Sequence, residues 1–193
     1  CVVSGPTGCG KSVFVFKMLD NLADMITPTP QKVIYCYGEY QPGFDKYPWV
    51  EFHEGLPKSE MFDGTPTLVV IDDLMNETND TVANLFTKIS HHRSVSVIYI
   101  TQNVFHKNKQ SRTISLNTHY MVLFKSPRDA GQIAVLGRQL YPEHSKFLVE
   151  AFKDATSTPH SYLLLDLRPE TGENYRVRTN IFLGDQQIVY NPK

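Results

Sequence analysis

The chain has 193 residues, of which 41% are hydrophobic and 20% charged, and its formal net charge is −1. This length suits one domain with a single core and is too short for two α/β domains of ordinary size. No apolar run reaches the roughly 18 residues that a membrane-spanning helix needs, so we expect no membrane partner. Because the net charge is slightly negative, any affinity for nucleic acid must come from local clusters of Lys and Arg.

The cysteines and the start of the sequence indicate the compartment and the extent of the domain. Cys1, Cys9 and Cys36 are an odd number at unrelated positions, which is typical of a reducing environment, and no secretory signal opens the chain. We therefore expect an intracellular protein that is not secreted. The apolar residues Cys1–Ser4 leave room for only a short first strand, so we interpret residues 1–193 as one domain that is trimmed at its N-terminus.

Strand-like and helical patterns alternate along the chain. The predicted strands, which are short and rich in apolar and β-branched residues, are Cys1–Ser4, Lys32–Cys36, Val50–His53, Thr67–Asp72, Ser94–Thr101 and Tyr120–Phe124. The predicted helices are Ser12–Met25, a segment through Val82 and Ile89, one from Pro127 toward Gly137, and one that begins at Pro142. This alternation predicts a three-layer α/β fold with a mainly parallel central sheet.

Three segments depart from that alternation. The pattern is weak between Tyr37 and Pro66, where we predict loop with a helical turn after Pro57. Gln102–Asn117 is polar and basic, and we predict a loop there. The sequence closes with a predicted C-terminal β-hairpin, whose strands are Tyr162–Asp166 and Tyr175–Ile181.

A phosphate-binding loop follows the first predicted strand. The residues Gly5-Pro6-Thr7-Gly8-Cys9-Gly10-Lys11-Ser12 fit the pattern G-x-x-x-x-G-K-[ST], whose glycines allow backbone N–H groups to surround a phosphate. Lys11 is predicted to bridge the β- and γ-phosphates of ATP, and the Ser12 hydroxyl to bind Mg²⁺. The motif lies between an apolar strand and an amphipathic helix, which is the context that this mechanism requires.

Two carboxylates follow the most apolar of the predicted strands. Thr67–Asp72 ends at Asp72 and is followed by Asp73, at the edge of a parallel sheet where ligands bind. Asp72 is predicted to hold Mg²⁺ through water, and Asp73 to orient and deprotonate the attacking water. The alternative is that one of them merely caps the turn after the strand.

A glutamine and an arginine flank the next strand. Gln102, at its end, can contact both the γ-phosphate and the lytic water if this strand is a neighbour of Thr67–Asp72; otherwise it is an ordinary loop residue. Arg93 precedes the strand and is a candidate for an arginine that acts on the phosphates of a neighbouring subunit. Its alternative role is a solvated positive charge at a helix end.

A basic segment lies immediately beyond Gln102. It contains Lys107, Lys109 and Arg112, and repetition of this charge around an oligomer would give a positive ring. We predict that these three residues bind DNA; the alternative is a solvated loop.

These motifs occur together in an order that resembles the FtsK–HerA superfamily of DNA-pumping ATPases. Within it, the chain is most similar to the poxvirus-type genome-packaging ATPases of large DNA viruses, adintoviruses and Maverick/Polinton elements. The resemblance covers most of the chain and rests on Gly5–Ser12, Ile71–Asp73, Tyr99–Asn103, Tyr35–Gly38, His91–Arg93, Leu123–Asp129 and Gly137–Gln139.

The resemblance implies a P-loop NTPase fold of the RecA/FtsK-like kind. It also implies a ring, often a hexamer or pentamer, that uses ATP and Mg²⁺ to thread double-stranded DNA into a preformed capsid, with a capsid portal as a further partner. Such a protein works in the cytoplasm or nucleus of a host cell or is associated with the virion. A trans-acting arginine before the glutamine strand is a feature of these relatives, which supports Arg93.

One position departs from the pattern of these relatives. Many of them carry Glu where Asp73 stands, and Asp is shorter by one carbon–carbon bond of about 1.5 Å. Two other functions stay open beside a DNA translocase, the second of them because of this departure and of the trimmed start. One is a small-molecule or nucleoside kinase, which also uses a phosphate loop and Mg²⁺. The other is an assembly module that binds ATP and hydrolyses it weakly.

Overall fold

The computed structural model of the chain describes residues 1–72, 74, 82, 94–103 and 109–193. Most of the predicted helix through Val82 and Ile89 lies outside these residues, although Val82 itself is helical and buried. Among the described residues, no helix is long and apolar enough to cross a bilayer.

Within the described residues, nine strands form one sheet, in the order β3-β2-β4-β5-β1-β6-β7-β8-β9. The pairs from β3 to β6 are parallel, and those from β6 to β9 are antiparallel. The mainly parallel sheet and the C-terminal hairpin predicted from the sequence are therefore confirmed. The strands are β1 (Val2–Ser4), β2 (Lys32–Tyr37), β3 (Glu51–Glu54), β4 (Thr67–Asp72), β5 (Val95–Thr101), β6 (Tyr120–Phe124), β7 (Tyr162–Asp166), β8 (Val177–Thr179) and β9 (Ile188–Tyr190).

Helices cover both faces of the sheet. The α-helices in the described part of the chain are α1 (Lys11–Asp20), α2 (Leu22–Met25), α3 (Lys109–Leu116), α4 (Ala130–Leu140) and α5 (Phe147–Ala155). Short 3₁₀ turns lie at Pro42–Lys46, Ser59–Met61, Pro127–Asp129, Pro142–His144 and Glu173–Tyr175. The turn at Ser59–Met61 is the helical turn predicted after Pro57.

Alternate side chains of the strands enter two separate cores, one on each face. In β4, Val69 and Ile71 belong to one core, whereas Leu68 and Val70 belong to the other. Helix α1 packs on the second core through side chains that include Phe14. Helices α3, α4 and α5 supply the first core with the side chains Ile114, Ile133, Leu148, Ala151, Phe152 and Ala155. A strand that is buried on both faces has no solvent-exposed side for polar residues, which is why β4 is a continuous apolar run.

The prediction of a loop over Gln102–Asn117 is wrong in its second half, where α3 forms. Ile114 is only 2% exposed and anchors this helix to the core. The other residues of α3 are mostly polar, so the sequence shows almost no apolar period. Asn117 Nδ2 donates to the Thr113 carbonyl at 2.8 Å and Thr118 Oγ1 to the Ile114 carbonyl at 2.7 Å, so side chains add to the backbone hydrogen bonds at the helix end.

Other elements differ in extent from the prediction. The predicted helix Ser12–Met25 is divided at Asn21, which leaves the helical conformation at φ −117° and ψ 28° and whose Nδ2 donates to the Lys17 carbonyl at 2.8 Å. Pro142 opens a 3₁₀ turn, and helix α5 begins only at Phe147. Strand β9 was not predicted, because three residues in a polar, proline-containing tail carry too little pattern to indicate a strand.

Candidate nucleotide site

The loop between β1 and α1 has a backbone that only glycines fit. Gly8 and Gly10 have φ of 77° and 106°, in the left-handed region that side chains avoid. A Cβ on Gly5 would lie 2.7 Å from Cys9 Sγ and 2.7 Å from Phe124 Cβ, so no side chain can be added there without moving the loop. The motif predicted as a phosphate-binding loop is therefore a tight backbone turn at the N-terminus of a helix.

Lys11 begins helix α1, and its side chain folds back over this loop. The Nζ atom donates to the Gly5 carbonyl at 2.7 Å and to the Pro6 carbonyl at 3.0 Å. Lys11 is buried, so these carbonyls compensate a charge that would otherwise be costly to remove from water. An ammonium group has three N–H donors, and these two contacts account for two of them.

Three strand ends meet beside the loop. Strand β5 lies between β4 and β1, with Asp72 opposite Ile100 and Ser4 opposite Thr101. The Gly5 N–H donates to the Thr101 carbonyl at 3.2 Å, which joins the start of the loop to the end of β5. The strands are thus neighbours, as the predicted contact of Gln102 with the nucleotide requires. Gln102 follows directly after β5 and is exposed.

Asp72 is bound by a tyrosine whose role the sequence did not identify. Tyr35, in β2, donates its phenolic O–H to Asp72 Oδ2 at 2.5 Å. Burial, together with the Asp72 carboxylate, raises the pKa of Tyr35, so the phenol stays protonated. A tyrosine inside a buried strand looks like core packing, and no sequence signal separates the two roles.

The side chains beside the loop fit a magnesium ion. Ser12 and Asp72 present oxygen atoms, the donors that Mg²⁺ prefers, and both lie at the edge where the glycine-lined turn opens. Asp72 is 8% exposed, which leaves part of its carboxylate accessible to a bound ion or its water. A Mg²⁺ ion with phosphate and water ligands needs few protein oxygens, so these two suffice.

The opposite side of the loop contacts a histidine that sequence reasoning also missed. His160, between α5 and β7, places Nδ1 3.2 Å from the Cys9 carbonyl, and a Cβ on Gly10 would lie 3.3 Å from it. Burial raises the pKa of the neighbouring Cys9 thiol despite the opposing charge of Lys11, so Cys9 is not a thiolate at neutral pH. No local motif could have indicated this contact, since it joins positions 151 residues apart.

Several predicted site residues lie outside the described part of the chain. These are Asp73, Arg93 and Lys107, together with the side chain of Lys109. Arg112 is exposed on α3. The structure thus brings together the loop, Ser12, Asp72 and the strand end before Gln102, and the roles of all the site residues stay predictions.

Comparisons with known proteins agree with this geometry. A family model described as RNA helicase matches residues 1–118, which include β1 to β5 and the loop. No curated protein matches the chain. The DNA-packaging ATPase B204 from Sulfolobus turreted icosahedral virus has a similar structure, with a TM-score of 0.53, 11% identity, and coverage of 100% of this chain and 96% of that one.

A second solved structure is the cytoplasmic domain of the type VII secretion ATPase EccC from Thermomonospora curvata. It has a TM-score of 0.55 and 13% identity over 99% of this chain, which spans 25% of that one. At these identities the likeness shows the fold. The predicted P-loop NTPase architecture is confirmed. The fold agrees with the predicted resemblance to the FtsK–HerA superfamily.

Proposed function

The chain belongs to the RNA helicase family of P-loop proteins, and on that premise we propose that it is an ATP-hydrolysing motor that translocates double-stranded DNA, in the packaging of a viral or virus-like genome. The observation that carries the proposal is the order β4-β5-β1, which brings Asp72, the end of β5 and the loop to one edge of the sheet. The structural likeness of this chain to B204, which covers nearly the whole of both chains, supports genome packaging as the function.

The loop and Lys11 would bind the phosphates of ATP. Backbone N–H groups of the loop would donate to the phosphates, and the N-terminus of α1 would add its positive dipole. Lys11 would exchange the Gly5 and Pro6 carbonyls for phosphate oxygens, because a charge-assisted contact to phosphate is stronger than one to a neutral carbonyl. Ser12 and Asp72 would hold Mg²⁺, which neutralises charge on the phosphates when bound.

Hydrolysis requires groups that act on water, and these are assigned to the ends of β4 and β5. Asp73 would orient and deprotonate the lytic water, and Gln102 would contact both that water and the γ-phosphate. The hydrogen bond from the Gly5 N–H to the Thr101 carbonyl joins the phosphate loop to the residue before Gln102. Loss of the γ-phosphate would then change the position of the start of the segment that follows Gln102.

That following segment is the proposed grip on DNA. Lys107, Lys109 and Arg112 would line the pore of a homo-oligomeric ring, a hexamer or pentamer, and Arg93 would reach the nucleotide of the next subunit. Exposure of Arg112 on α3 agrees with this placement. Because phosphate contacts carry no sequence information, such a grip suits a motor that must move any genome past a capsid portal.

A second candidate follows from the description of the matching family. An RNA helicase would use the same nucleotide site and act on RNA, and basic residues contact the phosphates of either polymer. The two candidates differ only in the polymer that stimulates ATP turnover.

ATP turnover with duplex DNA, single-stranded DNA, single-stranded RNA or no polymer tests the proposal. We expect duplex DNA to give the largest increase, and the Lys11→Ala protein to show none. Stimulation by RNA and not by duplex DNA would favour the helicase candidate. Absence of stimulation by any polymer, at low and moderate salt, would contradict a motor and favour the kinase or the weakly hydrolysing assembly module.

The DNA grip is tested separately by Lys107→Ala combined with Lys109→Ala. We expect weaker DNA binding for every sequence, and a plot of log K against log salt that is shallower by about one unit per lost phosphate contact. Basal ATP turnover should persist. Lys146→Ala with Lys153→Ala removes the same charge from exposed positions at α5 and serves as the control. If the two double variants bind DNA with equal affinity and equal salt slope, the DNA-binding element lies elsewhere. The segment Glu39–Lys58 is then the next candidate.

A further inference from the structure

Tyr35 connects two elements that the sequence separates. Its side chain is 0% exposed, and its O–H donates to Asp72 Oδ2 at 2.5 Å. Tyr35 therefore contacts one of the two side chains that are assigned to Mg²⁺.

The direction of this hydrogen bond is fixed by the chemistry of the two groups. An ionised carboxylate can only accept, so the single proton of Tyr35 points to Asp72 Oδ2. The bond therefore restricts the orientation of the carboxylate.

Aromatic neighbours hold the Tyr35 ring in place. Phe16 of α1 stacks on it with ring centroids 5.4 Å apart and an interplanar angle of 6°. Phe44 of the turn Pro42–Lys46 and Phe52 of β3 pack at 5.3 Å and 5.5 Å. Because three elements enclose the ring, packing fixes the position of the phenolic oxygen. The side chain that accepts its hydrogen bond is therefore restricted in orientation.

We propose that Tyr35 is a positioning residue that orients Asp72 to receive Mg²⁺ and that does not itself touch the nucleotide. The inference rests on the proposed function, because it takes Asp72 as a magnesium ligand. Groups that hydrogen-bond to metal ligands restrict their orientation, and their loss typically costs about 10- to 100-fold in metal affinity or activity.

The test is Tyr35→Phe, which keeps the ring and removes the hydroxyl. Binding of ATP in the presence of EDTA should equal that of the parent protein. Mn²⁺, added to the ATP complex and followed by electron paramagnetic resonance, should bind about tenfold more weakly. The matched control is Tyr47→Phe, whose hydroxyl donates to Asp20 at 3.3 Å on the surface and whose ring also stacks on Phe16. This control should bind Mn²⁺ as the parent does.

Replacement of Tyr35 by 4-aminophenylalanine restores an N–H donor at the same place. It should recover most of the Mn²⁺ affinity, and it provides a second variant if Tyr35→Phe does not fold. Weak Mn²⁺ binding in the 4-aminophenylalanine protein would overturn the inference. So would a Tyr35→Phe protein that loses stability and ATP affinity without a specific loss of Mn²⁺, since that result indicates packing alone.

Asp72→Asn separates failure of the inference from failure of the site. If Asp72→Asn weakens Mn²⁺ binding and Tyr35→Phe does not, Tyr35 has no positioning role and the proposed magnesium site stands. If Asp72→Asn leaves Mn²⁺ binding unchanged, the assignment of the site is wrong and the inference falls with it.

Discussion

The two halves of the sheet differ in what surrounds their charged side chains. In the parallel half, from β3 to β6, strand β4 is apolar from Leu68 to Ile71, and Asp72 and the loop lie at the carboxyl ends where a ligand can enter. In the antiparallel half, β7 to β9, a fully buried carboxylate lies within the sheet and is bound by arginines of its own chain. A buried charge is therefore evidence of a site only when its surroundings leave it something to bind.

Asp166 is the carboxylate of the antiparallel half and is 0% exposed. Arg168 binds it through Nε at 3.1 Å and Nη2 at 3.0 Å, and Arg178 Nη2 lies 3.1 Å from Oδ2. Burial alone would raise the pKa of Asp166, but hydrogen bonds and the charge of Arg168 together outweigh it and lower the pKa. Arg168 also lies over the Tyr120 ring at 4.9 Å, so this cluster fastens β7 and β8 to β6.

The largest effect on function is expected at Lys11. Lys11→Ala removes the charge that would contact the phosphates, so ATP affinity and turnover should both fall, turnover by about 100-fold or more. Alanine favours helix, so α1 should still form. Titration with ATP and a steady-state turnover assay measure the effect. Unchanged turnover would mean that the parallel half is not the catalytic half.

A smaller set of changes is expected at Asp73. Asp73→Asn keeps the size of the side chain and removes the carboxylate, so hydrolysis should slow by roughly 100-fold, as expected for loss of a general base. Mg-ATP binding should be retained. Equilibrium binding and single-turnover hydrolysis separate these two results. If binding is lost as well, Asp73 is a metal ligand and the division of roles between Asp72 and Asp73 is wrong.

The antiparallel half should respond in stability and not in function. Asp166→Ala leaves Arg168 and Arg178 without their carboxylate, and unfolding in urea should show a loss of about 3 kcal/mol, the low end for a broken buried pair because Arg168 is partly exposed. ATP affinity of the folded protein should not change. The control is Glu173→Ala, which breaks the exposed pair with Arg176 and should cost much less. An equal loss in both variants would contradict the buried role.

The smallest effect concerns acid pH. Because folding lowers the pKa of Asp166, its contribution is complete above the unfolded value of about 3.9 and is lost as the pH falls through the folded value. The difference in unfolding free energy between the parent and Asp166→Ala should therefore be constant from about pH 5 to 7 and shrink below about pH 4. Urea unfolding at several pH values measures it, and a difference that grows in acid would refute the assignment.

The sequence predicted what depends on continuous or local patterns. The strands β4 and β5 are apolar runs, and Gly5–Ser12 is a motif in which each residue type has a separate physical reason. Helix α3 was missed because Ile114 is its main buried anchor, and the division of the first helix depends on the single residue Asn21. These elements are stabilised by contacts that a local pattern does not contain.

The side chains around the loop could not be predicted for a related reason. Tyr35 reaches Asp72 across 37 positions, and His160 reaches Cys9 across 151. Such contacts follow from the strand order, which a single sequence does not specify. In β2, a tyrosine and a phenylalanine would fit the same apolar pattern, and only the position of the carboxylate distinguishes them.

The position of β1 has a consequence for how the protein folds. Its three residues pair with β5 on one side and β6 on the other, where Val2 lies opposite Tyr99 and Met121. Both partners come about 100 residues later in the chain, and closing such long loops before any pairing is gained slows folding. During synthesis β1 therefore lacks its first partner until β5 has left the ribosome, and its second until β6 has followed. ATP binding to nascent chains of increasing length would report the chain length at which β1 has paired with its two neighbours.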